Sequence, residues 1–210
     1  MQVTTDRGTV RAKVAIVTPS IGVLASGAIA FEPGPSGEMQ SALSGLQMGL
    51  LNKVVLAYAQ SSPLMRIAAG SVLVPQVNGD RGHSFLARPF GAPAIICFVG
   101  GSLAWEIAQQ GEATAIAFAR DRLRALFGAD ADRGFRAGAA ASWGTNPLTL
   151  GSYAVAKPGS VRARRVLAMP IGERVFLAGE ALAGRAAQTV HGAYQSGVDV
   201  ARRVLQLLKR

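Results

Sequence analysis

The sequence contains a single cysteine, Cys97, and only two histidines, His83 and His191. One thiol excludes an internal disulfide framework, and neither histidine sits at metal-ligand spacing, so no metal site is expected. Aromatic residues make up 6% of the chain, and none interleaves with the arginine groups Arg120-Arg122-Arg124, Arg162-Arg164-Arg165 and Arg202-Arg203. A base-stacking platform needs such interleaving, so the net charge of +10 reads as solvated faces and not as a nucleic-acid site. A basic nucleic-acid binder would rest on charge alone. No apolar run reaches the ~18 to 20 residues of a membrane span. The opening Met1-Gln2-Val3-Thr4-Thr5-Asp6-Arg7-Gly8 reads as strand and turn, not as a signal peptide, which makes the cytoplasm the expected compartment.

Against these absences, half of the 210 residues are apolar, 16% are charged and 25 are glycine. That composition belongs to a turn-rich, globular, mixed α/β chain, with room for one large core or two small domains. Asp6-Arg7-Gly8 predicts a hairpin turn, and Val10 through Thr18 a strand with the buried core Val14-Ala15-Ile16-Val17. Met39, Leu43, Leu46 and Leu50 fall at helical spacing, predicting a helix from Gly37 to about Leu51. Strands follow at Lys53 to Tyr58 and near Ser71-Val74, Ser84-Ala87 and Ala94-Val99, the last with Cys97 buried, while His83 falls in a Gly-rich polar loop. Of two helices beyond them, the second carries a stripe of Ala113, Ala117, Leu123, Leu126 and Phe127, ended by Gly128. Phe135 to Trp143 and Val175-Ala178 read as strands. A closing helix runs from about Val190 to Lys209, its apolar side carrying Val200, Val204, Leu205 and Leu208.

Chemistry concentrates in Val175-Phe176-Leu177-Ala178-Gly179-Glu180 and, after a loop, Thr189-Val190-His191-Gly192-Ala193-Tyr194-Gln195-Ser196-Gly197. A short apolar strand delivers an acid at its carboxyl end, where ligands of α/β sheets collect. Thr189 is a good N-cap, and the amides of a helix start attract negative charge. Gly192 and Gly197 allow a ligand or a neighbouring element to approach closely. An ordinary strand, loop and packing helix would have the same pattern.

This segment resembles the C-terminal flavin-binding signature of the flavin monoamine oxidase, polyamine oxidase and lysine-specific histone demethylase family. The resemblance implies FAD as cofactor, with Gly179, Glu180, Thr189, Val190 and Ala193 against it. Glu180 would contact the ribityl and pyrophosphate region, and Thr189 and Val190 would present the helix start to the flavin ring. Gly45-Leu46-Gln47-Met48-Gly49-Leu50-Leu51-Asn52-Lys53-Val54-Val55-Leu56 is similar to the family's Met-Gly-x-x-x-Lys-Val segment. By that match Lys53 holds a water against flavin N5 and favours electron transfer to oxygen. Trp143-Gly144-Thr145-Asn146-Pro147-Leu148-Thr149-Leu150-Gly151-Ser152-Tyr153 resembles the Trp, Asp-Pro, Gly-Ser-Tyr element. It implies that Trp143 packs near the flavin and that Tyr153 forms a wall of the aromatic cage for the substrate amine. Val17-Thr18-Pro19-Ser20-Ile21-Gly22-Val23-Leu24 resembles the passage from the FAD domain to the substrate domain, its proline displaced by one position. Two departures stand out. Asn146 replaces the usual acid, and Ala181-Leu182 replaces a polar pair.

One further absence completes the reading: no Gly-x-Gly-x-x-Gly occurs anywhere, nor the acidic ribose clamp expected about 20 residues beyond it. In the family that ADP-binding unit lies at the N-terminus. The chain is therefore expected to be a fragment, a truncated reading frame, half of a split enzyme or a degenerate descendant, completed by a missing half or a separate chain. The expected domains are 1–24, partial FAD-binding strands; 25–155, substrate binding; and 156–210, the C-terminal FAD-binding segment. The implied reaction is oxidation of a small amine to an imine, with oxygen as acceptor. The alternatives are a non-catalytic interaction subunit that does not hold FAD alone, and a carotenoid- or porphyrinogen-oxidising relative.

Overall fold

A computed structural model of the chain describes residues 1–75 and 82–209. From the amino terminus the chain runs through strands β1 (Gln2–Thr5), β2 (Gly8–Arg11) and β3 (Ala15–Val17), helices α1 (Ile21–Ala25) and α2 (Gly37–Ser44), and strands β4 (Leu46–Gly49) and β5 (Leu51–Tyr58). Strands β6 (Val72–Leu73), β7 (His83–Ala87) and β8 (Ala94–Gly100) follow, then helices α3 (Gly101–Gln110) and α4 (Glu112–Phe127) and strand β9 (Phe135–Ala140). Strand β10 (Tyr153–Ala156), helix α5 (Ala163–Leu167), strand β11 (Val175–Leu177) and helix α6 (Val190–Leu208) come last. These elements form two compact units, Met1–Met48 with Pro147–Arg210, and Gly49–Asn146.

In the Gly49–Asn146 unit an antiparallel sheet has the order β6-β7-β8-β5-β9. Strand alternation decides its faces. Asn52, Val54, Leu56 and Tyr58 of β5, Ile95, Cys97 and Val99 of β8, and Phe85 of β7 point inward and are buried. They pack on Ala104, Ile107 and Ala108 of α3 and Ala115, Ala119 and Leu123 of α4. Full burial of side chains such as Phe85, Leu56 and Ile95 stabilises the unit by about 1.5–3 kcal/mol each.

Two expectations change in this unit. Helix α4 buries Ala115, Ala119 and Leu123 instead of Ala113, Ala117 and Leu126, and Leu126 is 41% exposed. An alanine-rich helix has little apolar contrast to orient it, and polar anchors set its rotation. Glu112 Oε1 accepts from the Ala140 amide at 3.0 Å, while Arg120 and Arg124 pair with Asp132 at 2.6 Å each. His83 is not in a polar loop but opens β7. Its ring lies edge-on to Phe85 and Phe118 and is buried.

In the other unit β1 and β2 form the expected hairpin, with Gly8 at φ 121°. The strand expected from Val10 to Thr18 is split. Its second part, β3, leaves the hairpin to pair in parallel with β11, setting Ile16 opposite Phe176. Ile16 is 40% exposed and not the buried residue expected. The helix expected to reach Leu51 ends at Ser44 with Gly45 as its C-cap, and Leu46–Gly49 becomes β4, paired with β10. Gly45 permits close packing there, since a Cβ on it would lie 2.9 Å from Ser160. Ile21, Met39, Ala42, Leu46, Ala154, Leu167, Leu177 and Ala181 make the core. Helix α6 lays Val200 and Val204 on Phe176 and Ala178, leaving Leu205 and Leu208 exposed.

Candidate functional site

Strand β11 ends in a backbone shape that only glycine adopts readily. Gly179 has φ 147°, and its amide donates to Ser196 Oγ at 3.1 Å, tying the strand end to the middle of α6. Glu180 follows. Its Oε1 accepts from the Ala154 amide at 2.8 Å and its Oε2 from the Gln188 amide at 2.9 Å. Ala181 is buried and Leu182 packs beside the same core, so the apolar pair that replaces a polar one has a packing role.

Helix α6 starts at Val190 with Thr189 as its cap. Thr189 Oγ1 accepts from the Gly192 amide at 2.9 Å and donates to the Ala186 carbonyl at 2.7 Å. The Ala193 amide bonds to the Thr189 carbonyl at 3.0 Å. Among the described residues, the Val190 and His191 amides are left as open donors of the first turn, and Val190 is 89% exposed. No acidic side chain lies in that turn, and the positive end of a 19-residue helix faces outward. This geometry suits a group carrying negative charge or a carbonyl edge.

Tyr153 opens β10 in the same unit, half-buried, one residue before the Ala154 amide that Glu180 accepts from. The turn before it needs Gly151, which has φ 141° and on which a Cβ would lie 2.4 Å from Met48 Cβ. Tyr153, Gly179, Glu180, Thr189, Val190 and Ala193 thus share one unit. Lys53 and Trp143 belong to the other. Lys53 lies on the β5 face opposite the helices, exposed, paired in register with Phe98, its Nζ 5.8 Å from that ring's centroid. Val55, Ile96 and Phe98 share this outer face. Trp143 follows β9 and is 44% exposed.

Sequence reasoning missed Arg164 and Gln188. Gln188 Nε2 and Arg164 Nη2 both donate to the Ala154 carbonyl, at 3.1 and 3.0 Å, and Arg164 Nη1 donates to the Ala181 carbonyl. A glutamine at φ 69° just before an N-cap leaves no pattern in a sequence. Among the described residues no group of three or more His, Cys, Asp or Glu could hold a metal ion, and no helix is long and apolar enough to cross a membrane.

The family model described as flavin containing amine oxidoreductase matches residues 2–205. The chain belongs to this family. Lysine-specific histone demethylase 1 homolog 1 of Oryza sativa subsp. japonica is 33% identical over 98% of the chain and 25% of the relative. Polyamine oxidase 5 of the same plant is 31% identical over 90% of the chain and 38% of the relative. The chain therefore spans about a quarter to two fifths of the length of these relatives. Among solved structures, cyclohexylamine oxidase from Brevibacterium oxydans superposes with a TM-score of 0.79 at 21% identity, covering 100% of the chain and 46% of that structure. Putrescine oxidase bound to putrescine gives 0.78 at 18% identity, covering 98% and 45%. The mixed α/β fold is that of the flavin amine oxidases.

Proposed function

We propose that this protein works as the C-terminal part of an FAD-dependent oxidase converting an amine to an imine with oxygen as acceptor. The observation that carries the reading is the start of α6, where the open Val190 and His191 amides sit within the residues that the family model matches, in a segment that resembles the family's flavin-binding signature. The donor set fits a flavin, since main-chain amides at the positive end of a helix suit the electron-rich edge of such a ring. Gly179, Thr189, Val190 and Ala193 would hold it, with Glu180 beside them accepting from the Ala154 and Gln188 amides. FAD, when bound, supplies the hydride acceptor.

The remaining roles belong to this chain's own side chains. Tyr153 offers an aromatic face that attracts and desolvates a substrate ammonium, and Trp143 adds apolar bulk. Lys53 supplies a fixed positive charge for the step that involves oxygen. In this proposal 1–24 and 156–210 are cofactor segments and 25–155 binds substrate. The sequence has no Gly-x-Gly-x-x-Gly, so an ADP-binding half supplied by further chain or by a partner completes the site. The two-stranded parallel sheet β3–β11 supports that need, because parallel sheets are normally buried on both faces and Ile16 is exposed on this one.

Purification followed by a visible absorbance spectrum tests the reading. Weak or no flavin colour in the chain alone, and colour with the ADP-binding half present that bleaches on anaerobic addition of putrescine or cyclohexylamine, is the expected result. A colourless protein, inert to both even with the ADP-binding half present, would instead favour a non-catalytic interaction subunit.

A further inference from the structure

We infer that Glu180 is a positioning residue, a carboxylate that fixes the Tyr153 strand to the start of α6 through two main-chain amides. The inference rests on the amine-oxidase reading of the same site, and it assigns to Glu180 work done through its neighbours.

The geometry is specific. Ala154 is fully buried, and its main chain has one donor and one carbonyl to satisfy. The amide donates to Glu180 Oε1, and the carbonyl accepts from both Arg164 Nη2 and Gln188 Nε2. Side chains from α5, from the end of β11 and from the approach to α6 therefore meet on one residue of β10. Glu180 spans the two sides through its carboxylate, because its other oxygen accepts from the Gln188 amide, and the Gln188 side chain adds a second tie to the Ala154 carbonyl. Tyr153 immediately precedes Ala154, and Thr189 immediately follows Gln188.

Gln188 sits at φ 69°, a region unfavourable for a residue with a side chain. Its two bonds, one to Glu180 and one to Ala154, hold it there. An ionised carboxylate accepts at both oxygens and donates at neither, which matches two N–H groups facing it. A glutamine amide would present its NH2 to one of those N–H groups and could satisfy only the other. The brace thus couples the aromatic wall to the open helix start, and a shift of one carries the other with it.

Amide hydrogen exchange on the full chain tests the brace without any cofactor. In Glu180→Gln, whichever of the Ala154 and Gln188 amides faces the new NH2 is expected to exchange about 10- to 100-fold faster, while Val54 and Cys97 in the other unit keep their rates. Acceleration at neither amide overturns the bridge. If that variant fails to fold, Glu180→Asp keeps the charge but retracts it by one methylene, and it must accelerate both amides to the same end. The positioning role is read in FAD-loaded protein with putrescine and cyclohexylamine as probes. Glu180→Gln is expected to retain its flavin and lose about 100-fold in kcat/KM. Lost flavin with unchanged exchange means a direct cofactor contact and overturns the inference, as does faster exchange with unchanged kcat/KM. Wild-type protein inert to both amines would sink the amine-oxidase reading instead, and exchange at the two amides would still decide the brace.

Discussion

Gly192 lies so close to Ala186 that a Cβ built on it would stand 2.0 Å from the Ala186 carbonyl oxygen and 2.8 Å from Ala183 Cβ. The close approach that the glycine allows is therefore to the chain's own turn, which the first turn of α6 rides on. Gly197, one of the pair read together in the sequence, has nothing within 4 Å among the described residues. The two glycines predict opposite outcomes. Gly192→Ala should destabilise by about 1–3 kcal/mol, because backbone cannot yield as a side-chain tip would. Gly197→Ala should stabilise the chain by about 0.4–1 kcal/mol through reduced freedom of the unfolded state. Urea denaturation of both variants checks the signs.

Cys97 is buried at the centre of β8, and burial pushes its thiol up to about 12. The thiolate is the reactive form. A thiol-specific chromogenic reagent at about pH 8 should leave the folded protein unlabelled and label one site once denaturant is added. Rapid labelling of the native chain would show that β8 opens.

Tyr58 is pushed up to about 12, chiefly by burial, and its hydroxyl donates to the Ala131 carbonyl at 2.9 Å. A folded value above the ordinary 10.0 favours the protonated form in the native state. The stability it adds is present below pH 10 and is lost as pH rises toward about 12. Tyr58→Phe should lower stability at neutral pH and shrink the alkaline loss across that window. Urea midpoints measured across the window for both proteins decide it.

Asp132 shows the reverse sign. Hydrogen bonds from Arg124 and then Arg120 hold its carboxyl down from 3.8 to about 2. Its contribution is present above pH 3.8 and is lost as pH falls toward about 2. The group is largely solvated, so the amount is small and sensitive to salt. Asp132→Asn should flatten the acid limb of the stability profile at low ionic strength, and the difference from wild type should shrink as salt is added.

The strands at Lys53 to Tyr58 and Ala94 to Val99 were legible in the sequence because a short run of β-branched and apolar residues is a local signal. The Thr189 cap was legible for the same reason, since its partners lie within the next turn. What was not legible is non-local. The break after Arg11 depends on Ile16 meeting Phe176, and the end of α2 depends on β4 finding β10. Glu180 could be picked out as an acid after a strand, but its partners could not. They are backbone amides at Ala154, 26 residues away, and at Gln188, and any residue type supplies an amide.

Lys53 gives the sharpest test of the proposed chemistry. It sits exposed on the outer face of β5, its ammonium 5.8 Å from the centroid of the Phe98 ring. Lys53→Met keeps the apolar stem, and a thioether also packs favourably on an aromatic ring. Stability should therefore fall by no more than about 1 kcal/mol. If the ammonium serves the oxygen step, FAD-loaded Lys53→Met should react with oxygen about 10²–10³-fold more slowly, the scale seen when one well-placed donor is lost from a dry site. Its anaerobic reduction by putrescine or cyclohexylamine should change far less, because that step depends on how the substrate is held. Stopped-flow traces of the two half-reactions separate these outcomes. Equal slowing of both, or of neither, would make Lys53 a surface residue of β5 with no part in the oxygen step.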